Sequence, residues 1–427
     1  MKFSIQAIVS KAVSNFLLLL SVSALYAQEP STAPQLENIG PSIMSGRVVD
    51  LEVNPEDPTE FYVAYASGGL WHTTDNGTTF TPIFDNAPTQ NIGDIAMHWE
   101  SRTLYVGTGE NNSSRSSYAG IGMFKTTTNG ETWEHIGLED SHHVGRIVIN
   151  PNDPNHVLVG VIGHLYTPNK ERGVFVSSDG GKTWENSLYI NENTGVIDLA
   201  ATEDFSTIYA ASWQRDRKAW NFEGSGEGSG IYKSEDQGRS WTLLTTEDSG
   251  FPTGSGVGRI GLSVFDDQTL YAVHDSQFRR KLSQRKPSKN DALTKDQFKT
   301  LNVKEFLALS DKALNEFLKS NGFQEKYRAQ NVKQLVRDGV AKPSDIALYL
   351  EDANAMLFDT PVIGAEVYRS DDAGKTWSKT HDDYIDGLFY SYGYYFAQVR
   401  MDPSDVNNLY LAGVPLIQSK DGGKTFQ

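Results

Sequence analysis

The sequence predicts an all-β protein, a β-propeller of four-stranded blades with six blades visible and the last incomplete, on three observations. One eight-residue signature occurs six times, the copies lie about one blade apart, and strand-like segments stand at matching offsets before each copy. A repeat of this period is one supersecondary unit that cannot bury its apolar faces alone, so neighbouring units must stack.

The signature is a hydroxyl residue, an acid two positions on, a glycine two later and an aromatic three beyond that. Copies begin at Thr73, Thr126, Ser177, Ser234, Ser370 and Ser419 and end at Phe80, Trp133, Trp184, Trp241, Trp377 and Phe426. The acid position holds Asp75, Thr128, Asp179, Asp236, Asp372 and Asp421, giving gaps of 53, 51, 57, 136 and 49 residues. This is hairpin chemistry: the carboxylate caps turn N–H groups, the glycine takes a positive φ and the aromatic fills space between sheet layers. Six copies at one structural position make Asp75, Asp179, Asp236, Asp372 and Asp421 parts of the scaffold, and Thr128 marks a blade that manages without the acid. The motif resembles the Asp-box of sialidase-type and sortilin-type propellers.

Along the chain, residues 1–27 have a positive start, an apolar run and a small residue before Gln28, which predicts a signal peptide and an exported protein. Residues 28–275 then hold blades one to four and the start of blade five. Each blade opens on a first strand whose third position is β-branched: Val48, Ile95, Ile147, Ile197, Ile260 and Val399. Pro and Asn/Asp turns such as Asn54–Pro58 lead into second strands beginning at Phe61, Thr103, Val157, Ile208, Leu270 and Leu409. The third strand enters the signature and the fourth leaves it. The long gap places a helical insertion at 276–359 in blade five, where Phe298, Leu301, Phe306, Leu314, Phe317, Val332 and Leu335 carry helical spacing. Ser310–Asp311 and Pro343 read as helix starts, and Asn321–Gly322 and Gly339 as stops. This insertion is a possible surface for a protein partner. Residues 360–427 finish blade five and begin blade six, whose fourth strand is missing. Leu36–Gly40 resembles the fourth-strand segment Trp133–Gly137 and could close a six-bladed ring; the alternative, further blades beyond Gln427, is favoured because the sequence stops inside a hairpin.

Composition narrows the function. With 54 acidic and 38 basic side chains, the net charge of -16 argues against nucleic acid as partner. There is no cysteine, so stability rests on packing without disulfides. The strand order puts the signature turns on one face; the turns between strands two and three and the links between blades lie on the other, top face, where function is expected.

From Ile39 to Gln427 the chain resembles bacterial proteins with a sortilin-type (VPS10-like) N-terminal propeller, described as BNR-repeat or glycosyl-hydrolase-like. The resemblance rests on Met44–Asp50, Ser67–Trp71, Gly107–Glu110, His143–Ile147, Gly163–Leu165, Glu171–Val174, Trp213–Arg215 and Gly258–Gly261. It implies an exported propeller that binds peptide or glycan ligands on its top face, as a non-catalytic module of a larger protein. The alternative is a glycoside hydrolase or lyase of the xyloglucanase-like propeller type, with Asp50, Glu110 and Asp216 as candidate acids. Against it, the position before Gly68–Gly69 that holds a catalytic acid in xyloglucanases is Ala66 here, and such hydrolysis needs two carboxylates.

Ligand-binding candidates come from the top loops and first strands. Arg47, Arg146 and Arg259 stand at matching positions of blades one, three and five; they form an anion-binding ring, or pair with acids such as Asp94 and Glu110. Arg115 and Tyr118, His164, and Trp213, Arg215 and Trp220 combine aromatic and cationic groups suited to stacking on sugars or peptide side chains. His142 and His143 lack an identifiable third ligand, so no metal and no cofactor is expected.

Overall fold

The computed structural model describes residues 46–280, 293–350, 362–389 and 392–427. The predicted signal peptide and the Leu36–Gly40 segment lie outside the described residues. Six antiparallel sheets follow one another in chain order. Blade one is β1 (Val48–Val53), β2 (Phe61–Tyr65), β3 (Gly69–Thr73) and β4 (Thr81–Pro82). Blade two is β5 (Ile92–His98), β6 (Thr103–Thr108), β7 (Met123–Thr126) and β8 (Glu134–His135); blade three is β9 (Val144–Asn150), β10 (Asp153–Val161), β11 (Gly173–Ser177) and β12 (Glu185–Leu188). Blade four has β13 (Thr194–Ala201), β14 (Ile208–Gln214), β17 (Gly230–Ser234) and β18 (Thr242–Leu243), with a small hairpin, β15 (Asp216–Arg217) and β16 (Phe222–Glu223), in its top loop. Blade five is β19 (Val257–Val264), β20 (Leu270–Arg279), β21 (Val362–Ser370) and β22 (Ser378–Lys379); blade six has β23 (Gln398–Asp402), β24 (Asp405–Ala412) and β25 (Leu416–Ser419). First strands touch in sequence, β1 to β5, β5 to β9, β9 to β13, β13 to β19 and β19 to β23, so they line the middle of the ring.

The signature turns behave alike. In blade one, Asp75 Oδ1 accepts from Thr79 N at 2.8 Å and Oδ2 from Thr79 Oγ1 at 2.7 Å, while Thr73 Oγ1 accepts from Gly77 N at 3.0 Å. Gly77 sits at φ 77°, which an L side chain rarely adopts. Asp179, Asp236, Asp372 and Asp421 make the same pair of bonds to Thr183, Ser240, Thr376 and Thr425. In blade two Thr128 Oγ1 takes the N–H of Thr132 at 3.0 Å and pairs with its hydroxyl at 2.9 Å, so one uncharged oxygen makes both contacts that the carboxylates divide between two. The closing tryptophans reach the preceding blade: Trp133 Nε1 donates to Ile83 O at 2.8 Å and Trp184 Nε1 to Ile136 O at 2.6 Å. They tie blades together as well as filling space.

The insertion departs where β20 ends and returns where β21 begins, at the paired Arg279 and Val362. Its described helices are α1 (Lys295–Thr300), α2 (Val303–Leu307), α3 (Asp311–Ser320), α4 (Ala329–Arg337) and α5 (Pro343–Leu350). They bury their own core of Phe298, Phe306, Leu314, Leu318, Val332 and Ile346. Helix α3 starts after Ser310 and stops at Asn321–Gly322, with Gly322 at φ 72°, as the capping residues predict. In blade six Gln427, beyond the signature turn, pairs back onto Gln418 of β25, the two exchanging backbone bonds of 2.9 and 3.0 Å at the place of a fourth strand.

The two ends of the array differ from its middle. Every residue of β5 is buried, whereas β1 exposes Val48, Leu51 and Val53, and blade six exposes Val414 and Leu416.

Candidate functional site

Strand pairing corrects the expected equivalence of Arg47, Arg146 and Arg259. Opposite the same point of the second strands stand Asp50 (against Ala64), Asp94 (Gly107), Arg146 (Gly160) and Asp198 (Ala211). Bulges between Val48 and Asp50, Ile92 and Asp94, and Val196 and Asp198 shift the register within those first strands. One arginine and three acids of consecutive blades therefore converge. Arg146 Nη1 donates to Asp94 Oδ1 at 2.9 Å, Nε to Asp198 Oδ1 at 3.0 Å, and Asp50 Oδ1 lies 3.5 Å from Nη1. The free carboxylate oxygens accept backbone N–H groups of the following blade: Asp50 from Ile95 at 3.4 Å, Asp94 from Ile147 at 2.6 Å and Asp198 from Leu262 at 2.8 Å. Burial opposes charge on Arg146, yet the three acids around it hold it firmly protonated. Burial drives Asp94 the other way, well above the usual carboxylate range. This hub is a structural brace between blades, and it occupies both Arg146 and the candidate acid Asp50.

Above the hub, top loops of blades two, three and four interlock. The Tyr166 hydroxyl donates to Arg115 O at 2.7 Å, and Arg215 donates to Ser113 Oγ at 3.1 Å and Gly163 O at 3.0 Å. Arg259 donates to Asn111 O at 2.8 Å and Tyr394 O at 3.2 Å. Both guanidiniums lie near the Trp213 ring, at 5.6 Å and 5.9 Å, and Arg217 stands 4.6 Å over Phe222. Among the described residues none of Arg215, Arg217 and Arg259 hydrogen-bonds a carboxylate, and the Nε of each is buried without a partner. Burial lowers the pKa of all three, Arg259 to about 10, and Arg215 is also repelled by Arg172 and Arg217.

Exposure sorts the loop candidates. Trp213 is 0% and Arg215 3% exposed, which corrects the expectation that they present an open binding surface. Strand β14 runs on to Gln214, placing Trp213 on the same face as Tyr209 and Ala211, in one core cluster. Its Nε1 donates to Gly224 O at 2.9 Å. Trp220 is 85% exposed, Tyr118 51%, and Arg115 is exposed beside it. A polar cavity of about 260 Å³ is lined by Asn193, Gln214, Arg215, Asp216, Lys218 and Glu223, where Asp216 accepts from Lys218 at 2.8 Å. A second, of about 390 Å³, lies between blades one and six against Arg47, Val48, Asn111, Asn112, Tyr395 and Gln398. Glu110 sits behind it, fully buried and bonded to Arg47, and burial pushes its carboxyl up.

Two groups escaped the sequence reading. Asp275 on β20 is buried, bonded to Gln277 at 2.9 Å, and raised to about 7 chiefly by burial. The polar run His274–Asp275–Ser276 inside an otherwise apolar strand was its signal. The second group concerns the histidines, which divide. Buried His143 bonds Glu110 O at 2.9 Å and is depressed to about 3, mainly by burial. His142 instead stacks on His164, with ring centroids 3.7 Å apart, and His164 Nε2 donates to Asp140 Oδ1 at 2.9 Å. Ligand atoms of Asp140, His142 and His164 lie within 4.8 Å of one another, so His142 clusters with Asp140 and His164 and not with His143, the pairing that the sequence suggested.

Residues 175–186 and 368–379 match the BNR/Asp-box repeat. Among curated protein sequences none matches the chain. Solved structures with a similar fold include the GH74 enzyme of Niastella koreensis, at 16% identity and TM-score 0.51, covering 88% of this chain and 46% of that one. Others are the GH74 xyloglucanase of Xanthomonas campestris (14% identity, TM-score 0.48, 88% and 45% covered) and YCF48 bound to D1 peptide (13%, 0.43, 90% and 82%). The chain thus spans less than half the length of these GH74 structures, and the likeness to the Niastella koreensis enzyme is one of fold alone: this chain is a six-bladed β-propeller carrying BNR/Asp-box repeats.

Proposed function

We propose that this propeller is an exported, sortilin (VPS10)-like module that binds a peptide or glycan bearing a carboxylate on its top face, without catalysis, as part of a larger protein. The observation that carries the reading is the set of Arg215, Arg217 and Arg259, buried beneath the aromatic loops with unpaired Nε groups and no hydrogen-bonded carboxylate among the described residues. Cations in a low-dielectric setting, with Asp198 and Asp275 near Arg259 but no carboxylate hydrogen-bonded to any of the three among the described residues, project a field that draws an anion to the surface above them. Exposed Trp220, Tyr118 and Arg115 supply the flat and charged contacts on that surface. Screening acidic and neutral oligosaccharides and peptides by calorimetry tests this. Ligands with a carboxylate should bind, esterified ones about tenfold more weakly, and Trp220→Ala should weaken binding by a further factor of about ten. Equal binding of ester and acid overturns the reading.

A glycosidase remains the second reading, favoured by the raised carboxyl of Glu110 behind the larger cavity. Polysaccharide turnover that disappears in Glu110→Gln would establish it. Asp50 and Asp216 fit it less well, since Arg146 and Lys218 already engage them.

A further inference from the structure

We infer that Asp140, His142 and His164 form a binding site for one divalent transition-metal ion of the zinc type, on the rim of the top face. The three come from two segments: Asp140 and His142 from the link between β8 and β9, and His164 from the turn between β10 and β11. Two imidazoles and one carboxylate are the donor set that such ions prefer, and three protein ligands leave a fourth position for water or a ligand atom.

Three further observations go beyond the composition of the cluster. First, the donor atoms are already gathered: those of Asp140, His142 and His164 lie within 4.8 Å of one another, with the two imidazole rings stacked 3.7 Å apart at 22°, so that rotating one ring out of the stack turns both nitrogens onto one ion. Second, the outer groups are in place. His164 Nδ1 pairs with Thr167 Oγ1 at 2.8 Å, orienting the ring with Nε2 toward Asp140, and Asn169 Nδ2 donates to Asp140 O at 2.8 Å. Glu171 Oε2, on the same turn as His164, is buried with no hydrogen-bond partner among the described residues.

Third, the backbone of His142 is constrained where no side chain is at ease, at φ 52° and ψ -35°. Gly120 N donates to its carbonyl at 2.7 Å, and Gly109 approaches that same oxygen so closely that a Cβ there would stand 1.8 Å away. The surrounding loop thus over-determines a strained residue, as occurs at functional sites. A metal would replace the single hydrogen bond between His164 and Asp140 and bridge all three side chains.

The test uses the purified full chain, stripped with chelator and titrated calorimetrically with zinc at neutral pH, with cobalt as a spectroscopic substitute. One equivalent should bind, and cobalt should give the visible bands of a four-coordinate site with nitrogen ligands. His164→Gln should weaken zinc by at least about 100-fold and Asp140→Asn by about tenfold, and binding should fade below about pH 6 as the imidazoles protonate. His142→Asn removes the ring while keeping a residue that tolerates positive φ. Thermal melting of each metal-free variant confirms folding, and exposed Asp140 carries the test if His142→Asn melts early. Absence of zinc binding by the wild type, or equal binding by folded Asp140→Asn and His164→Gln, overturns the site.

Discussion

Trp213 and Trp220 belong to one stretch of chain and do opposite things. The first closes a core between blades four and five; the second stands in solvent. Replacing Trp213 with Ala should therefore cost about 3–5 kcal/mol of stability, seen as an earlier denaturant midpoint. Trp220→Ala should leave that midpoint within about 0.5 kcal/mol while reducing ligand binding. Sequence reading could see that the stretch is aromatic and cationic. It could not see where β14 ends, because Ser212 and Gln214 look like a loop while the alternation Tyr209, Ala211, Trp213 continues the strand. Nor was Asp140 visible as a partner of His164, since the two meet only when separate loops fold together.

Among elements, the signature turns carry an electrostatic prediction. Asp179, Asp236 and Asp421 are each held at about 2 by bonds to a hydroxyl residue four positions on, led by the Thr183 backbone for Asp179 and by the Ser240 and Thr425 hydroxyls for the others. A carboxyl depressed in the folded state stabilises it above its ordinary value near 3.8 and loses that contribution as pH falls towards 2. The melting temperature should accordingly drop between about pH 4 and pH 2, in addition to any general acid effect. Thr128→Asp, which completes the one turn lacking the acid, should raise the melting temperature by about 1–3 °C at pH 7 and by roughly a third of that at pH 2.5. Circular dichroism melts at the two pH values check the difference. These turns and the helix caps were legible because their chemistry is local. The first-strand register was not, because a bulge in each of blades one to four offsets the strand without disturbing the apolar pattern that marks it, so that Asp50 and Asp198 fall in line with Asp94 and Arg146 where the sequence offered Arg47 and Val196.

Among the described residues burial is uneven: blades two to five leave no residue of their first strands exposed, while β1 and blade six leave Val48, Leu51, Val53, Val414 and Leu416 exposed. Local opening follows contact density, so hydrogen exchange should reach β1 and β23–β25 about ten to a hundred times sooner than β9, β10, β13 and β14. Uniform protection across all six blades, measured by mass spectrometry on peptic fragments, would contradict this. The architecture was legible from a repeated period of about fifty residues; the unevenness was not, since the same first-strand pattern opens buried and exposed blades alike. The carboxylate braces add a sense of direction to this ring. Asp50, Asp94 and Asp198 each grip an amide that lies 45, 53 or 64 residues downstream, and none grips one upstream. In a chain made from its N-terminus each of these three carboxylates is therefore present before the amide it accepts from, so none of the three braces can close until the following blade has been made.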